Sequence, residues 1–257
     1  MNKLTMYVVT HKEIRDIPSG RTPIFVGNGK NLNNYLRDIT GDNISEKNKN
    51  FCELTAMYWI WKNDRDSEFV SIEHYRRFFM KRHSMAKVIS KKDVESMLSN
   101  NKIILPESNK FSMKIGEAYC YCHNKNDYYN TRDIISRVFP NYLHDFDEVM
   151  NGYSCNMLNM MIMPKKFFDE YCEWLFNILF KLESVNGDIS NRSSYQQRAY
   201  GFMSERLLNV WLRHNSIEKE ELPIYQVESS KLKSVLRIMK HRIDNRPFNP
   251  RNEKNLH

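Results

Sequence analysis

The chain has 257 residues, 41% hydrophobic and 12% aromatic, with a formal net charge of +8. That length suits one large α/β domain whose core needs neither disulfides nor a structural metal. No apolar run reaches the roughly 18 to 20 residues of a membrane span, and five scattered cysteines do not make a disulfide framework.

The charge is unevenly placed. Residues 229–257 hold eight Lys/Arg against two acids, so +6 of the +8 lies there. The remainder is nearly balanced, which argues against a nucleic-acid partner. A main domain over 1–228 and a basic tail over 229–257 are therefore expected. The start, Met1-Asn2-Lys3-Leu4, lacks the apolar core and cleavage site of a signal peptide, so a cytoplasmic location is expected.

In chain order, Leu4 to Val9 reads as a strand buried on both faces, ending at Thr10-His11-Lys12. Pro23 to Gly27 is a second short strand, followed by an Asn/Gly/Asp-rich loop. Asn50-Phe51-Cys52-Glu53 resembles a capping box opening a helix to about Lys62. Glu68 to His74 is the next strand, Ser90 to Ser99 a short helix opened by Ser90 and Asp93, and Lys102 to Leu105 a strand ended by Pro106. Ile115 to Asn151 has helical spacing broken at Pro140. Cys155 to Met163 reads as a Met-rich strand, Lys165 to Glu183 as an amphipathic helix, and Ser194 to His214 as a last long helix. This alternation predicts an α/β fold, a mainly parallel sheet flanked by helices, with ligands beyond the carboxyl ends of its strands.

Two strand ends are therefore the places to search, Thr10-His11-Lys12 and Glu73 to Arg77. His74-Tyr75-Arg76-Arg77 puts an imidazole and two guanidinium groups where a diphosphate can be met without a metal. The plain alternative is that both arginines are solvated or pair with nearby acids. Asp64-Arg65-Asp66 has a metal-binding pattern but precedes its strand, and Asp145-Phe146-Asp147 sits in a helical stretch. Both read as decoys. On the last helix Arg198, Gly201 and Glu205 share a face. A mid-helix glycine suggests close approach of a ligand or backbone, which makes Arg198 a phosphate or sugar ligand and Glu205 a general base. A buried Arg–Glu pair is the competing account. Asp188 is the second candidate base, with a turn aspartate as its alternative. Cys120-Tyr121-Cys122-His123 lacks the second ligand pair of a zinc site. Leu232, Val235, Leu236, Met239 and Ile243 recur at helical spacing among basic residues, as in a helix lying on an anionic membrane.

Several segments together resemble a known family. They are Tyr7 to Lys12, Gly41 to Asn48, Cys52 to Asn63, Glu73 to Phe79, Ile103 to Pro106, Phe168 to Trp174 and Arg198 to Leu207, in order across residues 4–227. The chain is similar in these to the bacterial capsule, exopolysaccharide and O-antigen galactofuranosyltransferases, glycosyltransferase family 111, formerly a domain of unknown function. The resemblance implies an A-type nucleotide-sugar-transferase fold, a UDP-galactofuranose donor and inversion at the anomeric carbon. By position it implies that Thr10, His11 and Lys12 hold the nucleotide, that Asp42, Asn43, Ser45 and Asn48 line the donor loop, and that His74, Tyr75, Arg76 and Arg77 meet the diphosphate. Glu205 is favoured over Asp188 as the base. No cofactor is expected, with Mn or Mg left open. The implied partners are the UDP-sugar donor, an oligosaccharide on a polyprenyl diphosphate, and an anionic membrane surface through residues 229–257; self-association stays open. A UDP-hexopyranose donor and a non-catalytic basic adaptor of membrane or nucleic acid are the competing readings.

Overall fold

The computed structural model describes residues 3–14, 16–82, 87–98 and 102–227. The predicted tail, 229–257, lies outside the described residues. The first three strands are β1 (Leu4–Thr10), β2 (Thr22–Phe25) and β3 (Leu36–Arg37). Helices α1 (Asn48–Phe51) and α2 (Leu54–Asn63) lead to a hairpin of β4 (Phe69–His74) and β5 (Arg77–Phe79). Then come α3 (Lys91–Met97), β6 (Lys102–Pro106) and the short β7 (Asn109–Lys110). Three helices follow, α4 (Ile115–Cys122), α5 (Lys125–Val138) and α6 (Leu143–Asn151). The chain continues through β8 (Ser154–Cys155), β9 (Met161–Pro164), α7 (Lys165–Asn186), α8 (Ala199–His214), β10 (Glu218–Leu222) and β11 (Ile224–Gln226).

The main sheet runs β10-β6-β9-β4-β1-β2-β3. β1 pairs in parallel with both β2 and β4, and β10 with β6, whereas β9 lies antiparallel between β6 and β4. The carboxyl ends of β1, β2, β4, β6 and β10 therefore share one edge. β11 pairs with β5, extending that edge beyond the hairpin.

Period-two alternation explains the double burial of the sheet. Tyr7 and Val9 join the larger core with α2, α7 and α8, while Leu4 and Met6 face the smaller one with Phe79, Ile89 and Val94. Phe168, Tyr171, Leu175, Ile178, Leu179 and Leu182 recur at three- and four-residue spacing, and that stripe seals α7 onto the larger core. One charge pair is deeply buried. Arg21 donates to Glu73 at 2.9 Å, with 1% and 0% of the two side chains exposed.

Several expectations need correction. The capping box at Ser90 forms, with Asp93 answering the serine, but the one expected at Asn50–Glu53 does not. The helix breaks at Cys52, whose φ is +54°, and Asn50 donates instead to the Gln197 carbonyl at 2.8 Å. That break leaves the Glu53 side chain free of a capping role. The predicted Cys155–Met163 strand is two short strands, because Leu158 (φ +82°) and Asn159 (φ +48°) make a left-handed turn between them. The last α-helix begins at Ala199, after a 3-10 turn over Gln196–Arg198.

Candidate active site

The ends of β1 and β4 meet side by side. Tyr75 N donates to the Val9 carbonyl at 3.0 Å, which prolongs the β1–β4 ladder into the loops. Thr10 is buried, and its hydroxyl accepts from Lys12 N at 3.1 Å, turning the chain so that His11 and Lys12 stand at the edge. Tyr75 and Arg76 form the turn of the β4–β5 hairpin, since His74 pairs with Arg77. The Tyr75 ring collects three of these groups. His11 packs edge-on at 5.0 Å, Lys12 Nζ lies 5.0 Å from the ring centroid and the Arg76 guanidinium 4.9 Å. Burial pushes the His11 imidazole below its usual pKa, with Lys12, Arg76 and Arg198 adding to the effect. His11 is accordingly a neutral ring among fixed cations.

His74 and Arg77 belong to a second group around the acids. Burial lowers the His74 pKa, Glu53 opposes the shift, and Arg77 and Arg198 reinforce it. Its buried Nε2 makes no hydrogen bond among the described residues. Helix α8 brings Glu205 to the same place. One oxygen accepts the Leu158 amide at 3.0 Å and the other the Arg206 guanidinium at 2.8 Å, leaving 15% of the side chain exposed. Burial raises the Glu205 pKa, opposed by Arg206 and reinforced by Glu53. Thus Arg206, and not Arg198, is the ion partner of Glu205. Arg198 is exposed and donates to Cys52 Sγ at 3.2 Å.

The left-handed turn is a device of this site. A leucine at φ +82° costs about 1–3 kcal/mol. In return the Leu158 amide reaches Glu205, and the next residue, Asn159, donates to Glu53 at 2.7 Å. Asn159 is itself held by Ser204, whose hydroxyl donates to it at 3.0 Å. Gly201 packs against Cys52, but a Cβ there would lie 3.6 Å from the cysteine Cβ, an ordinary contact. Another backbone does approach this glycine, yet alanine would fit.

The donor-loop candidates are knit together locally. Asp42 accepts from Tyr58 at 3.1 Å, Asn43 accepts the Ser45 hydroxyl at 2.9 Å, and Asn48 donates to the Cys52 carbonyl at 2.8 Å. Gly41 is required here. Its φ is +60°, and a Cβ would stand 2.0 Å from Asn63 Oδ1. Asp188 stays apart from this arrangement: its exposed carboxylate closes its own turn, accepting from Ser190 N at 2.8 Å and the hydroxyl at 2.9 Å.

Neither acidic decoy reaches the edge. Asp64 lies at the amino end of β4, where it accepts from Tyr7 and Ser67. Asp145 binds Arg213 and His214, and Asp147 binds Arg132. At the carboxyl end of β4 the chain offers His74 and two arginines, a set that does not suit a divalent cation. Among the described residues no three His, Cys, Asp or Glu side chains gather as a metal site. Nor is any described helix long and apolar enough to cross a membrane.

The sequence reads Glu53 as a cap with Asn50, which hides its place beside Glu205, and gives little sign of Cys52 or the 158–159 turn. Asn159, a residue type tolerant of positive φ, was a weak signal for the turn; Leu158 carried none.

A family model described as "Domain of unknown function (DUF4422)" matches residues 5–216. The structure is similar to one titled "WbbM bifunctional glycosytransferase apo structure", with a TM-score of 0.76 and 26% identity over 89% of this chain. The present chain spans 46% of that one. Among curated proteins none matches. The α/β architecture predicted from sequence is thus that of a glycosyltransferase structure.

Proposed function

The chain belongs to the DUF4422 family, and from that premise we propose that it is an inverting glycosyltransferase using a UDP-sugar. The observation that carries this reading is the pairing of a cationic strand edge, Lys12 with Arg76, and a half-buried carboxylate of raised pKa, Glu205, with Arg198 acting electrostatically on both sides. The cations suit a departing diphosphate, and the carboxylate suits removal of a proton from an acceptor hydroxyl.

In a single displacement the acceptor oxygen attacks the anomeric carbon as the bond to the UDP β-phosphate breaks. The hydroxyl proton passes to Glu205 and the bond's electron pair leaves with UDP. Lys12, Arg76 and Arg198 balance that charge, so the reaction is read as metal-independent. Thr10 and His11 would flank the nucleotide, Tyr75 would support the cations, and Asp42, Asn43, Ser45 and Asn48 would shape the donor loop. The resemblance in sequence supports galactofuranose as the sugar, and an oligosaccharide on a polyprenyl diphosphate in surface-polysaccharide synthesis as the acceptor. Residues 229–257 would then hold a cytoplasmic enzyme against the inner membrane face.

Incubation with a panel of UDP-sugars and NMR of the products tests the donor. Transfer of galactofuranose with a β-linkage is expected, and turnover of a UDP-hexopyranose alone would refute the furanose assignment. Activity is expected to survive EDTA; loss that Mn²⁺ restores would overturn the metal-free reaction.

A further inference from the structure

Beside the charged part of the site lies an aromatic group that the proposed chemistry does not use. Phe202 follows Arg198, the N-cap of α8, by one helical turn and precedes Glu205 by three residues, so the three share a face at the start of that helix. The His123 ring stacks on Phe202 at 4.2 Å and 24°, and Tyr195 packs on Phe202 at 4.9 Å and on His123 at 5.8 Å. All three residues are half-buried, with Phe202 packed against the larger core. Burial and Arg206 push the His123 pKa down to about 3, which makes this imidazole an uncharged flat ring.

Arg198 divides two unlike environments. On one side its Nε reaches Cys52 Sγ and its charge acts on His11; on the other its guanidinium lies 5.4 Å from the Phe202 centroid. The His11 side is rich in cations and suits a diphosphate. On the Phe202 side the nearby Arg206 is paired with Glu205, and the neutral rings suit the C–H face of a sugar ring, packed by dispersion and by the negative face of the aromatic system. From this juxtaposition we infer that Tyr195 and Phe202, backed by His123, form the subsite for the acceptor's terminal sugar, delivering its hydroxyl to Glu205. This rests on the glycosyltransferase reading, which it deepens by giving the acceptor a place and a chemistry.

The test is saturation-transfer NMR on the full chain with UDP present, using octyl glycosides of galactose, glucose, mannose and N-acetylglucosamine as probes. Ring protons of at least one glycoside are expected to be saturated in the wild type. Y195A and F202A should each weaken that glycoside about tenfold, with UDP affinity held within about twofold, and F202Y should restore it. Two variants on different elements guard against a local folding fault, and a thermal melt checks each. The subsite is overturned if no glycoside is saturated, if both alanine variants bind the glycoside as the wild type does, or if UDP affinity falls equally. Failure of every UDP-sugar as donor, with glycoside binding intact, would instead sink the transferase reading and leave the sugar subsite standing.

Discussion

Glu53, at the N-cap of α2, and Glu205, within α8, are held by consecutive residues of one turn: Asn159 donates to Glu53 at 2.7 Å, and the Leu158 amide to Glu205 at 3.0 Å. The two carboxylates therefore share an electrostatic environment, and Glu53 helps to raise the Glu205 pKa. That coupling decides the expected pH behaviour.

A base must be ionised to act, so the acid limb of kcat/KM should lie above the roughly 4.3 of an ordinary glutamate, with rate lost as pH falls through it. Replacing Glu53 by Gln removes a like charge, which lowers the Glu205 pKa. The limb of E53Q should move to lower pH. A limb that stays in place or rises would show that the two acids are not coupled as described.

Glu205→Gln should lower kcat by about 10²- to 10⁴-fold while leaving UDP affinity largely intact. Steady-state kinetics with calorimetric titration of UDP separates these effects. Asp188→Asn should be close to wild type, because that carboxylate serves only its own turn; a collapse in D188N with a near-normal E205Q would transfer the role.

Arg76→Ala should weaken UDP by about 1.5–3 kcal/mol if its guanidinium meets the diphosphate, the range for hydrogen bonds to charged groups. Loss of affinity should be smaller for uridine, which has no phosphate to lose. Equal losses for uridine and UDP would place Arg76 elsewhere than at the diphosphate.

The Arg21–Glu73 pair is a stability prediction independent of chemistry. With 0% of Glu73 exposed, Arg21→Ala leaves a buried carboxylate without its partner, at a cost of about 3–5 kcal/mol. Denaturant unfolding should show a lower midpoint. Burial also raises the Glu73 pKa, so the destabilisation of R21A should ease as pH falls and the carboxyl protonates in the folded state.

Gly41→Ala combines a positive φ with a Cβ placed 2.0 Å from Asn63 Oδ1. The Asn63 amide must swing away from the Asp42 carbonyl it holds at 2.8 Å, loosening the 41–48 loop, so UDP affinity should fall more than global stability. Calorimetry and thermal melts on one sample compare the two.

Much of the fold was legible in the sequence because its signals are local. A continuous apolar run marked β1, helical stripes marked α7 and α8, Ser90 and Asp93 marked a cap, and the strand ends at Lys12 and His74 pointed to the edge where cations gather. The site's acidic half was not legible in that way. Glu53 reads as a cap in sequence, and only the break at Cys52, packed beneath Gly201 of a helix about 150 positions later, turns its carboxylate inward. Likewise nothing in Leu158 announces a left-handed backbone; the turn persists because Glu205 holds the Leu158 amide while Glu53 and Ser204 hold the Asn159 side chain. Periodicity and end signals belong to neighbouring residues and survive in the sequence alone. Which charges meet, and which remain neutral when they do, depends on burial and on partners far apart in the chain, and only tertiary packing supplies those.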